Sequence, residues 1–275
     1  MSDAQAHELL AVVELSPAAA AAHDRQRWVG LFRPDGRVED PVGSRPHVGH
    51  QEISRFYDTF IGPRDITFHR DLDIVCATTV IRDLQLEVAM GSSITMHIPA
   101  ILRYDLQRAD SPDLAGQWQL QRLLAYWELP AMMRQFLGNG VAAMPAAVGL
   151  SGSLLRNQRL RGAAGFAKGF RRPGRRGKQA VQAFLEALAS GDTTSARRWL
   201  TATATITYGA DGAIDLAELA VRLQRARPVK MLAAGSVVAV SATSAHGRAV
   251  LLIDVTDRGE AISAVRYFPE SAGTG

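Results

Sequence analysis

Apolar positions recur along this chain first at helical spacing and then at strand spacing. Over residues 4–22, Leu9, Leu10, Val13 and Ala20 fall on one side of a helix. Ser16-Pro17 interrupts that run, because proline lacks an amide donor and crowds the preceding turn, so a kink or two helical pieces are expected. Asp24 is placed to cap a second helix through Leu31-Phe32, with Trp28, Leu31 and Phe32 as its apolar stripe. A short strand at Val38–Asp40 follows, then a loop to Gly49 and a helix over Gln51–Phe60 that buries Ile53, Phe56, Tyr57 and Phe60. The period then changes to two over Ile66–Val75, Thr79–Met90, Ser92–Tyr104 and Trp118–Trp127. Helices followed by a run of strands predict an α+β domain, a curved antiparallel sheet wrapped around its helices.

The same order returns 168 positions later. Asp192 stands where Asp24 does, Trp199-Leu200 where Leu31-Phe32 do, and Ile206 where Val38 does. The helix over residues 10–22 falls on Gln179–Ser190. The ending Leu123–Trp127 is repeated by Ala261–Phe268, with Arg266-Tyr267-Phe268 standing for Ala125-Tyr126-Trp127. A repeat of this length means two copies of one domain, since solenoid units are far shorter. The expected organisation is a first domain over 1–130, a linker over 131–177 and a second domain over 178–275. The two copies are expected to face each other as an intrachain pseudo-dimer. Asp40 falls on Tyr208, so the second copy lacks that acid and reads as structural or regulatory.

Composition changes this picture in one place. The chain has 275 residues, enough for two cores, and 47% of them are apolar without a run long enough to span a bilayer. Met1-Ser2-Asp3-Ala4 carries an acid and no basic region, which argues against a secretory signal. Cys76 is the single cysteine, which excludes an internal disulfide and suits a reducing, cytoplasmic setting. The net charge of +4 is unevenly distributed. Residues 1–128 carry 12 arginines against 18 acids, whereas residues 129–185 carry 10 basic residues and no acid. The linker opens with Met132, Met133, Phe136, Leu137, Val141 and Met144 and becomes basic from Arg156 to Arg176. Three roles fit that segment: a solvated linker docked on the acidic first domain, a peripheral contact of residues 154–177 with an anionic membrane, and a salt-dependent nucleic-acid contact. The membrane reading rests on Leu154, Leu155, Phe166 and Phe170 among the cations. The nucleic-acid reading is disfavoured because the run is poor in aromatics.

Chemistry concentrates at Arg37-Val38-Glu39-Asp40-Pro41-Val42-Gly43. In an extended run Val38 and Asp40 share one face while Arg37 and Glu39 share the other. If Val38 faces a core, Asp40 faces it too, and Pro41 and Gly43 end the strand beside it. A carboxylate aimed inward is desolvated, which raises its pKa toward the range useful for moving protons. His47 and His50 bracket a loop, His97 points away from the apolar strand face, and His69 reads as a surface residue. No pair has metal-ligand spacing, and no phosphate-binding glycine loop follows a strand, so neither metal nor cofactor is expected.

Leu31-Phe32, Val38-Glu39-Asp40-Pro41-Val42-Gly43, Pro46, Gly49, Ile53, Phe56-Tyr57, Leu102-Arg103-Tyr104-Asp105 and Ala125-Tyr126-Trp127 together resemble the ketosteroid isomerases of the NTF2-like (SnoaL-like) superfamily. The resemblance spans residues 8–130, and residues 178–270 look like a more diverged NTF2-like domain. It implies a cone-shaped pocket lined by Ser16, Phe32, Tyr57, Val88, Met90, Ala100, Leu102 and Tyr126, with Asp40 in the position of the base that shuttles a proton in a 3-ketosteroid. In that family an oxyanion hole of a tyrosine and a protonated aspartic acid completes the site. Here those two positions correspond to Ser16 and Ala100. Losing one such donor commonly costs about 10²–10³ in rate. The expectation is therefore a protein that handles a steroid-like or polycyclic apolar ligand, with Asp40 its buried polar contact. The alternative is an active isomerase acting on an enolisable ketone through Asp40, with a substitute donor such as Tyr57 or Tyr126.

Overall fold

The computed structural model describes residues 2–89, 94–110, 116–138 and 174–270. Helix α1 (Asp3–Ala21) starts at Ser2, whose side chain accepts from the Gln5 amide, and runs through Pro17 without a break. Of the kink or two helical pieces expected there, the division into two pieces is not found. Leu9, Val13, Ser16, Pro17 and Ala20 form one buried stripe. Packing along that stripe offsets the hydrogen bond that Pro17 cannot donate. Helix α2 (Arg25–Gly30) is capped by Asp24, which accepts from the Arg27 amide at 2.9 Å. It ends before Phe32, which opens strand β1 (Phe32–Glu39) instead of closing the helix.

The short strand β2 (His47–Val48) leads into helix α3 (Gly49–Phe56), which continues as a π-helical turn over Tyr57–Ile61. The wider turn advances the buried face, so Ile53, Phe56, Tyr57 and Thr59 are buried and Phe60 is only half-buried, against the ordinary helical expectation. Strands β3 (Asp65–Cys76), β4 (Thr79–Ala89), β5 (Thr95–Arg108) and β6 (Trp118–Tyr126) follow, then helix α4 (Leu129–Gly138). The sheet order is β2-β1-β6-β5-β4-β3. It is a mixed sheet, not the purely antiparallel one expected. Strand β1 pairs parallel with β6, and the long chain between them supplies the crossover such a pair requires.

The second sheet repeats the first. Helix α5 (Gly174–Ala189) and helix α6 (Thr193–Arg197) precede strand β7 (Leu200–Tyr208), and Asp192 accepts from the Ser195 amide at 2.9 Å as Asp24 does from Arg27. Then come β8 (Gly212–Ala213), α7 (Leu216–Arg222), β9 (Arg227–Ala234), β10 (Val237–Ser244), β11 (Gly247–Val255) and β12 (Ile262–Pro269), ordered β8-β7-β12-β11-β10-β9. Strand β7 again runs parallel to its partner β12. Phe184, Leu188, Leu219, Val240, Leu251, Ile253 and Val265 fill the core of this sheet with its helices.

The register corrects one expectation. Val38 pairs with Leu123, and its counterpart Ile206 pairs with Val265. Tyr267 therefore matches Ala125, not Tyr126, and a one-residue change moves a side chain to the opposite face of a strand. By contact, the chain divides into two compact units, Met1–Leu72 with Arg82–Phe170, and Asp73–Ile81 with Arg171–Gly275. The basic stretch up to Pro173 and the apolar positions Val141 and Met144 lie outside the described residues, as does Met90. Among the described residues, no helix is long and apolar enough to cross a membrane.

Candidate functional site

The turn after β1 is tied down from its outer side. Glu39 accepts from Arg37 Nη2 at 2.6 Å and from the Gly43 amide at 2.8 Å. Pro41 has no N–H to offer β6, so the Val42 amide makes that bond, to the Ala125 carbonyl at 2.8 Å. With Arg37 and Glu39 engaged outside, Val38 is fully buried and Asp40 lies half-buried on the same inward side.

Among the described residues, one side chain hydrogen-bonds to that carboxylate. The Trp127 indole N–H donates to Asp40 Oδ1 at 2.5 Å. The rest of the indole packs against a cluster of Val88, Ile94, Met96 and Ile98, joined by Ile66, Leu86 and Met132. Helix α4, which carries Met132, lies beside β5, where Gln135 Oε1 accepts from the His97 amide at 3.2 Å. Burial pushes the Asp40 carboxyl up to about 6, and the Trp127 N–H, which favours the charged form, holds it back from rising further. The site thus holds an acid that is ionised at neutral pH, poised near its titration, at the edge of an apolar cluster.

The other anticipated residues fall into separate groups. Ser16, Phe32 and Tyr57 gather around Trp28. Its indole N–H donates to Ser16 Oγ at 3.1 Å, and its ring lies 5.0 Å from Phe32 and 5.5 Å from Tyr57. The Ser16 oxygen therefore acts as an acceptor here, which leaves its hydroxyl hydrogen to donate. Among the described residues the buried Tyr57 hydroxyl has no hydrogen-bond partner, and burial pushes its pKa up, reinforced by Asp24 and Asp58 and opposed by Arg25. Ala100 and Leu102 share one face of β5, both buried, and Leu102 is paired with Ala125. Tyr126 is paired with Ile101, which puts it on the other face of β6 from Trp127 and corrects its assignment to the pocket.

Two residues named in the sequence were not assigned to the site. Trp127 shares period-two parity with Leu123 and Ala125, the signal that assigns it to the Asp40 face. His47 pairs with Val38 and so shares its face; it is buried, its ring lies 5.1 Å from Phe56, and burial lowers its pKa. Among the described residues, no cluster of three or more histidine, cysteine or acidic side chains could hold a metal ion.

Residues 8–106 match the nuclear transport factor 2 (NTF2) domain family. No curated protein matches the chain. Among solved structures, it is similar to a Mycobacterium tuberculosis protein in complex with estradiol-17beta-hemisuccinate, at 20% identity and a TM-score of 0.40, over 45% of this chain and 95% of that one. It is also similar to a Delta 5-3-ketosteroid isomerase from Mycobacterium sp., at 24% identity and a TM-score of 0.39, over 46% and 96%. A ketosteroid isomerase-like protein from Erwinia carotovora atroseptica matches at 14% identity and a TM-score of 0.38, over 46% and 98%.

Proposed function

We propose that the NTF2 domain holds an apolar, polycyclic ligand of steroid type beside Asp40. The reading is carried by the Asp40–Trp127 pair. One indole satisfies the acid with its N–H and lies with its ring against the apolar cluster of Val88, Ile94, Met96 and Ile98. A rigid hydrocarbon body suits that cluster, and a polar ligand group beside it would meet the second carboxylate oxygen.

The raised pKa of Asp40 favours a second reading, proton transfer within an enolisable ketone. Asp40 would take a proton from the carbon next to the carbonyl, leaving a dienolate, and return it two carbons further along as the double bond moves into conjugation. A base with a pKa of about 6 is largely ionised at neutral pH and still able to give the proton back. Against fast turnover stand the apolar Ala100 and the apolar Phe32, which offer no donor at their positions. Ser16, which accepts from the Trp28 indole but keeps its own hydroxyl hydrogen, and Tyr57 are the hydroxyls left among the anticipated donors.

The test is an absorbance assay for the conjugated enone formed from a Δ5-3-ketosteroid, with wild type and Asp40→Asn, beside titration with a fluorescent phenolic steroid. Turnover that disappears in Asp40→Asn supports the isomerase reading. Steroid binding without turnover supports a carrier or sensor. Neither binding nor turnover sinks both.

If turnover is seen, kcat/KM rises with pH through about 6 and levels above it, since the ionised carboxylate is the base. Trp127→Phe removes the group that, among the described residues, opposes the upward shift of Asp40, so the rising limb moves to higher pH. An unchanged limb in that variant would remove Trp127 from the account.

A further inference from the structure

In the second unit the position of Asp40 is taken by Tyr208, and a different chemistry is assembled there. The parallel register pairs Tyr208 with Tyr267, and the Gly209 amide donates to the Tyr267 carbonyl at 2.8 Å, the bond that Val42 makes beside Asp40. The two phenol rings lie 6.2 Å apart, edge to face. The Arg222 guanidinium, at the end of α7, sits 5.1 Å from the centre of the Tyr208 ring. Tyr208 is 37% exposed, whereas Tyr267 is 3% exposed.

The polar atoms of this cluster are not used up by the fold. Among the described residues, neither phenol hydroxyl has a hydrogen-bond partner. Arg222 gives Nε and Nη2 to Glu218 Oε1, at 3.2 and 2.6 Å, and its Nη1 makes no hydrogen bond to a described residue. Glu218 is the acid facing Arg222, and both side chains are partly open to solvent, so this pair is weak and exchangeable. Burial raises the Tyr267 pKa while Arg222 opposes the rise, consistent with a cation close to that hydroxyl.

We propose that Arg222, Tyr208 and Tyr267 form a second ligand site, one that takes a small organic anion, a carboxylate on an aromatic or apolar body. The carboxylate accepts from the free Arg222 Nη1 and from the two hydroxyls, and the body lies against the Tyr208 ring. Arginine suits this task because its planar fork matches the two oxygens of a carboxylate. The acid of the first unit has thus been exchanged for hydrogen-bond donors and a cation, and the preferred ligand charge is reversed. Carboxylate binding here does not depend on Asp40.

Benzoate is the probe, titrated into the full chain by calorimetry, with benzamide as its uncharged counterpart. The expected result is benzoate binding that Arg222→Gln weakens at least about tenfold. Arg222→Lys weakens it less, Tyr208→Phe weakens it while keeping the ring, and benzamide does not bind. Added salt weakens the interaction, because Arg222 is partly exposed. A thermal melt confirms that each variant is folded, as expected for side chains at a helix end and a strand end. Equal benzoate affinity in wild type and Arg222→Gln, equal binding of benzamide, or no benzoate binding by the folded wild type overturns the proposal.

Discussion

Asp40→Asn is expected to make the protein more stable than wild type at pH 8, and to lose that advantage near pH 4. The cause is the raised carboxyl pKa, about 6 in the folded protein against 3.8 for the free side chain. Between those values the folded state binds the proton more tightly than the unfolded chain, so unfolding releases it. Stability is then highest while Asp40 is protonated and falls as pH rises through the window from 3.8 to about 6. Above that window the protein carries the full cost of a desolvated carboxylate. Two pKa units correspond to roughly 2–3 kcal/mol at about 1.4 kcal/mol per unit. Asparagine avoids this cost, and its carbonyl oxygen still accepts from Trp127. The check is a set of urea melts by tryptophan fluorescence between pH 4 and pH 8. Parallel curves for wild type and Asp40→Asn would show that burial does not act on this acid.

The inward placement of Asp40 follows from the local sequence pattern. Alternation along Arg37–Asp40 put Val38 and Asp40 on one face, and both are found on the inward side, with Glu39 bound outside by Arg37 and the Gly43 amide. The helix caps were equally local: Asp24 and Asp192 each accept from an amide three residues on. Features set by tertiary partners were harder to read. Helix α1 survives Pro17 because Leu9, Val13 and Ala20 are buried with it, which propensity alone does not weigh. The π-helical turn at Tyr57–Ile61 shifts the buried face from Phe60 to Thr59, and no residue type announces it. Parallel pairing of β1 with β6 is a matter of connection, not alternation. Tyr126 and Tyr267 were each misplaced by one position, since a strand ending in consecutive large residues does not reveal which of them faces inward.

Trp28→Ala is expected to cost about 3–5 kcal/mol, the range for removing a large aromatic side chain from a core. Trp28 is 1% exposed and touches three rings at once: Phe32 at 5.0 Å, Tyr57 at 5.5 Å and Phe56 at 6.1 Å. It also supplies the N–H that satisfies Ser16 Oγ, so truncation strands a buried polar atom as well as opening a cavity. Trp28→Phe separates the two effects, because it keeps much of the ring but removes the donor. Adding Ser16→Ala to Trp28→Phe should then cost less than the two single changes together, with a coupling of about 1 kcal/mol. Chemical denaturation of the four proteins measures it. Additive costs would mean that the Ser16–Trp28 bond holds nothing, and a Trp28→Ala loss under about 1 kcal/mol would mean that the ring cluster does not. The same variants bear on the site. Asp40 hydrogen-bonds to Trp127 and to no other described residue, so Trp28→Phe should leave its titration in place while loosening the surroundings of Tyr57. A ligand-binding defect without a shifted pH limb would then assign Tyr57 to holding the ligand and Asp40 to the proton.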